Sequence, residues 1–175
     1  MTNAKVFSIN SSKSKGTPKT PIDSATLIEG VGLENDAHAA GGIKQVSLLS
    51  IESIRRQSSV IARNEVTKQS LNDGDCHDAV GPVPRTGRLS ALKPGDFAEN
   101  ITTKGIDLVD LKIGTKLKIG DEVIIEISKI GKDCPKHCAI YYKTGDCIMP
   151  REGIFAKVLK SGIVKVRDKI EVLND

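Results

Sequence analysis

Tryptophan is absent from the 175-residue chain, and only two tyrosines and three phenylalanines are present. Surfaces that stack unpaired bases are built from aromatic rings, so a single-stranded nucleic-acid platform has little material here. Long apolar runs are missing as well. No stretch approaches the ~20 apolar residues of a membrane-spanning helix, and residues 1–10 hold no run of signal-peptide length, so a soluble cytoplasmic protein away from any membrane is expected. Charge of a single sign is also lacking: 26 basic against 22 acidic residues leave a net charge of +4. So small an excess suits an anionic small molecule or plain solubility as well as nucleic acid, and selects none of them. Cysteine is limited to Cys76, Cys134, Cys138 and Cys147. In a reducing compartment these are expected as thiols, metal ligands or catalytic groups rather than as a disulfide framework.

What is present reads as one domain over residues 1–175, since no composition shift marks a second. Ala4 to Asn10 alternates like a strand, Ser11 to Pro21 is an exposed loop or hairpin end with two prolines, and Ala25 to Glu29 is a second strand. Val46 to Leu49 is a short apolar run. Ser50 then reads as an N-cap and Ile51 to Gln57 as the opening of a short helix. Ser58 to Ser90 is expected to be an irregular insertion, because Asn72-Asp73-Gly74-Asp75 and Gly81-Pro82-Val83-Pro84-Arg85-Thr86-Gly87 are dense in turn formers. From Leu92 onward glycines recur between β-branched stretches such as Val123-Ile124-Ile125-Glu126-Ile127. Gly153 to Leu159 fits a short helix or a strand, and Gly162 to Val172 a closing hairpin. The expectation is a mainly β chain closed into a barrel, with a few short helices.

Chemistry concentrates in Gly131-Lys132-Asp133-Cys134-Pro135-Lys136-His137-Cys138. The thiolate is the reactive form of cysteine, and the cations Lys132, Lys136 and His137 favour it. The bland alternative is a buried strand end, since free cysteine is often buried; a turn loaded with cations makes a poor core element. Zinc is a lesser possibility. Cys134, His137, Cys138 and Cys147, with Cys76 and His77, are competent ligands, but structural zinc sites usually show two close pairs, which this spacing does not supply. Upstream, Gly32 to Gly42 places Asp36 and His38 among small residues, where backbone can approach an oxyanion; alternatively both merely cap a turn. In Lys93 to Ile101, Asn100 either fixes a polar ligand or ties the turn, and the tie is the simpler reading.

Four blocks in order carry a resemblance: GLENDAHAAGGIKQVSLL, LKPGDFAENITTKGIDL, IGTKLKIGDEVIIEISKIGKDCPKHCAIY and GDCIMPREGIFAKV. They resemble the signature blocks of stand-alone MOSC proteins, the domain type at the C-terminus of molybdenum cofactor sulfurases. The resemblance implies a MOSC-type β-barrel with a cysteine-bearing pocket that binds the molybdenum cofactor (molybdopterin) or carries sulfur. In the sulfurases a separate pyridoxal-phosphate domain makes the persulfide, so a cysteine desulfurase-type donor or molybdenum cofactor enzymes are the implied partners. Carried over by motif, the essential cysteine is Cys138, with Cys134 next; Cys138 is the implied molybdenum ligand. Asp36, His38, Lys44, Asn100, His137 and Arg151 are the implied cofactor-binding residues. Asn35 stands where the family pattern suggests glycine, and Ile43-Lys44 replace a more basic or aromatic pair, so the pocket wall is expected to differ. The activity implied is sulfur transfer; the alternatives are a non-catalytic pterin-cofactor carrier and a zinc-stabilised RNA-binding barrel, against which the scarcity of aromatics counts.

Overall fold

The computed structural model describes residues 3–15, 17–39, 41–70, 92–134, 141–142 and 146–173, with backbone alone over 62–70. The strands are β1 (Lys5–Ser11), β2 (Thr20–Ile22), β3 (Ser24–Ile28), β4 (Gly32–Leu33), β5 (Val46–Ser50), β6 (Ile101–Lys104), β7 (Lys116–Ile119), β8 (Val123–Ile130), β9 (Ile154–Lys160), β10 (Gly162–Lys165) and β11 (Ile170–Leu173). The helices α1 (Ile51–Ser70) and α2 (Met149–Glu152) accompany them. An eight-stranded sheet runs β11-β7-β8-β9-β5-β6-β1-β2, and a three-stranded sheet runs β10-β3-β4. Only β5 and β6 pair in parallel within these ladders.

The mainly β expectation holds, but the sheets do not close into a barrel. On the edge of β1 away from β6, residues 9–11 are taken by β2. Only Ala4 to Val6 meet the far end of the sheet, where Val6 N–H donates to Asp168 O, and Arg167 and Ile170 N–H donate to Val6 O and Ala4 O. That contact stays an isolated bridge, Lys5 with Lys169. A turn precedes it in which Arg167 has φ 80, so no regular strand runs on from β10 to widen the seam.

The closing hairpin also fails to form. β10 leaves for β3 while β11 pairs β7, so the segment Gly162 to Val172 serves two sheets. Gly153 to Leu159 resolves as strand β9. Ser58 to Ser70, expected to be irregular, continues α1: the run from Ile51 to Ser70 holds neither glycine nor proline, and the turn formers begin only at Asn72. Residues 71–91 lie outside the described residues. Ser50 caps this helix as expected, its Oγ accepting the Ser53 N–H at 3.1 Å.

Strand parity creates two cores. Val46 and Leu48 of β5, Ile154, Ala156 and Val158 of β9, and Ile125 and Ile127 of β8 belong to the main core. The alternate residues Leu49 and Phe155 point to the opposite face, where they meet Ile51 and Ile54 of α1, Phe97 and Met149. Burial of β5 on both faces explains why Val46 to Leu49 reads as an unbroken apolar run. The second face carries the site.

Candidate functional site

A cavity of about 140 Å³ opens on this second face. Phe97, Met149 and Phe155 give it an apolar base, and Ala98 and Ser47 line it beside them. Its polar wall is His38, Lys44, Asn100 and Lys132, drawn from three separate stretches of sequence. Lys44 sits with its ammonium 5.5 Å from the centre of the Phe155 ring, a cation–π contact that holds the charge at the wall. Lys132 is anchored by its N–H, which donates to Met149 O at 3.1 Å.

His38 is positioned from behind. Asn35 has φ 60, a left-handed conformation that asparagine tolerates, so the substitution for the expected glycine leaves the turn intact. The next residue, Asp36, is buried and its carboxylate gathers donors: Lys19 Nζ at 2.7 and 2.8 Å, Ser12 N–H at 3.1 Å, Ser11 Oγ–H at 3.4 Å and His38 N–H at 3.0 Å. Burial acts to raise the Asp36 pKa, but the contacts from His38 and the Lys19 ammonium outweigh it and hold the carboxyl far below the usual range. For Lys19, burial is the larger influence and lowers its pKa against the opposing pull of Asp36. The His38 ring extends from this hub. Its buried Nδ1 faces Asp36 Oδ1 at 3.4 Å, a charge contact without hydrogen-bond alignment.

The opposite wall is the turn 93–100. Asn100 does tie the backbone: its Oδ1 accepts from Ser47 N–H at 3.2 Å and Ser47 Oγ–H at 2.9 Å, and its own N–H donates to Ser47 O at 2.9 Å. Its Nδ2 makes only a long 3.5 Å contact to Asn10 O, so the carboxamide both ties the turn and lines the cavity. Glu99 beside it is fully buried, its Oε1 accepting from Gly95 N–H at 2.7 Å and Thr102 Oγ–H at 2.8 Å. Burial pushes its pKa up to about 7, although the donors from Gly95 and Thr102 act to lower it.

Of the residues singled out in the sequence, His38, Lys44 and Asn100 meet in this cavity. Asp36 does not line it, because its carboxylate is turned inward to Lys19. Arg151 is also elsewhere, its guanidinium paired with Asp146 at 2.7 Å. Cys134 is an exposed free thiol two residues beyond Lys132, and Cys147 is buried in the second core. His137 and Cys138 lie outside the described residues, as do Cys76 and His77. Among the described residues no group of three His, Cys, Asp or Glu side chains is placed to hold a metal ion, and no helix is long and apolar enough to cross a membrane. Sequence reading missed Lys19, Ser47 and Glu99, and assigned Lys132 to the thiolate alone.

The geometry coincides with the sequence blocks, and comparison with known proteins decides the family. The MOSC domain model matches residues 35–171. The chain belongs to the MOSC domain family. That match runs from before β5 into the start of β11 and includes every pocket-lining residue named above. Similar solved structures include APC1665, YUAD protein from Bacillus subtilis, with a TM-score of 0.62 at 17% identity over 97% of this chain and 94% of that one. YiiM from Geobacillus stearothermophilus superposes with a TM-score of 0.61 at 16% identity, over 98% of this chain and 75% of that one. YiiM from Escherichia coli gives 0.58 at 18% identity, over 99% and 69%. At such identities the likeness establishes the fold. No curated protein matches the sequence.

Proposed function

We propose that the cavity holds the anionic end of the molybdenum cofactor, and that a thiol of the segment Lys132 to Cys138 serves it as ligand or sulfur carrier. The observation that supports this reading most is the meeting of His38, Lys44, Asn100 and Lys132 on one cavity, with no carboxylate lining it among the described residues. Two lysines, an imidazole and a weakly bonded carboxamide form a donor set for a negatively charged oxygen-rich group. The volume of about 140 Å³ is below the ~300–1,000 Å³ of pockets that enclose a drug-sized ligand. The lining therefore suits a terminal anionic group, with fused rings left outside.

When bound, the molybdenum centre supplies oxygen- or sulfur-atom transfer with a two-electron change at the metal. The chain's own residues have simpler tasks. Lys44 and Lys132 neutralise the anion, Asn100 donates from Nδ2, and His38 donates or accepts at its ring nitrogens. The apolar base of Phe97, Met149 and Phe155 keeps water from one side and strengthens those contacts. Cys138, or Cys134, follows Lys132 along the same segment and acts as the thiolate, stabilised by its cationic neighbours. The activity proposed is sulfur transfer of the molybdenum cofactor sulfurase type, in the cytoplasm, with a cysteine desulfurase-type donor and molybdenum cofactor enzymes as partners.

Anaerobic incubation with a persulfide donor, then peptide mapping, tests the thiol assignment. One added sulfur on the peptide containing Cys134 and Cys138, lost in Cys138→Ser or Cys134→Ser, is the expected result. Sulfur spread equally over all four cysteines contradicts it.

A further inference from the structure

Glu99, fully buried between the cavity-lining residues Ala98 and Asn100, has no assigned task. Its Oε1 has two donors, but Oε2 is buried and has no hydrogen-bond partner. A buried carboxylate needs compensation for its charge. The buried cation acting on it is Lys19, whose ammonium is already bonded to both oxygens of Asp36. Lys19, Asp36 and Glu99 are thus one base and two acids, all buried, and their full ionisation leaves an excess negative charge. A single proton removes it. Asp36, surrounded by donors, is the poorer acceptor, and Glu99 with its bare oxygen the better.

The cluster also joins both walls. Lys19 N–H donates to Gly95 O at 2.8 Å, its ammonium grips Asp36, and Asp36 holds the His38 backbone N–H. Glu99 itself lies between the wall residues Ala98 and Asn100. Ala98 has φ 62, so the turn is held in a conformation that alanine does not choose by itself.

We propose that the Lys19–Asp36–Glu99 cluster makes the cavity proton-linked: an anion that enters it brings a proton onto Glu99. The proposal rests on reading the cavity as an anion site. Ionised Glu99 repels a neighbouring anion, and by reciprocity a bound anion favours the protonated carboxyl. Burial already brings Glu99 to a pKa of about 7, so the exchange falls near neutrality. Thr102 of β6 donates to Glu99 and accepts in turn from Asn10 of β1, both neutral, and the charged groups coupled to it are Lys19, before β2, and, through Lys19, Asp36. Across the wall stand His38, Lys44 and Lys132. His38 lines the same cavity, and replacing it leaves Glu99 as the acid whose contribution is followed.

Two measurements on the full chain test the coupling. Carbon-13 NMR follows the Glu99 carboxyl and the amides of Ala98 and Asn100 through a pH titration. Titration near pH 7, with both amides following, is expected; a carboxyl titrating near its ordinary ~4.3, or amides indifferent to it, overturns the proposal without any ligand. Sulfate affinity, measured calorimetrically in the His38→Gln variant, should fall roughly five- to tenfold as pH rises through neutrality. In His38→Gln/Glu99→Gln the fall should vanish. Equal sulfate affinity on both sides of neutrality in His38→Gln overturns the coupling and leaves the anion site standing. No sulfate binding at any pH overturns the anion site and the coupling together.

Discussion

A carboxyl group enclosed on every side loses the water that would solvate its charge, and Glu99 is so enclosed. Its raised pKa means that the folded chain binds a proton which the unfolded chain releases. Stability is therefore highest below the unfolded value of ~4.3 and declines as pH rises towards about 7, by an amount on the order of 3 kcal/mol. Glu99→Gln keeps the oxygen that accepts from Gly95 and Thr102, so urea unfolding of this variant should lose that decline. Asp36 has the opposite sign: its lowered pKa contributes stability above the ordinary carboxylate range, lost as pH falls below it. Lys19→Met leaves Asp36 buried without its counter-ion and should cost about 3–5 kcal/mol. The double variant Lys19→Met/Asp36→Asn should be less destabilised than the sum of its parts; additive losses would show the pair to be uncoupled. Lys19 was not legible in the sequence, being one lysine among several in a polar loop. Asn35 was legible as a departure, but its left-handed backbone was not, since composition does not report φ.

The turn 93–100 is the element that sets the cavity wall, and Gly95 is its constraint. Gly95 has φ +87, and a Cβ there would stand 2.1 Å from Lys19 O. Gly95→Ala should therefore destabilise the fold by about 2–4 kcal/mol and weaken sulfate binding, as measured by unfolding and calorimetry. A variant as stable as the parent contradicts the close approach. Elements with a local signal were readable: β5 by its unbroken apolar run, β8 by alternation, and the start of α1 by the Ser50 cap. The partners of β10 and β11 were not, because alternation identifies a strand and its faces but leaves open which edge it joins. The far end of α1 was not legible, because no local signal separates the residues up to Ser70 from the turn formers that begin at Asn72.

At the scale of the molecule, one large sheet separates a purely apolar core from a mixed face that carries the cavity. Barrel closure was expected from strand density, yet it depends on how β1 divides its outer edge between β2 and residues 167–170, a long-range choice that no local pattern encodes. The meeting of His38, Lys44 and Asn100 was foreshadowed by the block resemblance, whereas the inward turn of Asp36 and the pairing of Arg151 with Asp146 needed the three-dimensional contacts. The central claim is that this cavity binds the cofactor's anionic end through Lys44 and Lys132. The measurement that tests it most directly is molybdenum retained per chain after anaerobic equilibration with the cofactor, for the parent and for Lys44→Ala/Lys132→Ala. Near-stoichiometric retention by the parent, with at least a roughly tenfold loss of affinity in the double variant, is the result predicted. No molybdenum on the parent, or equal amounts on both, would contradict the account.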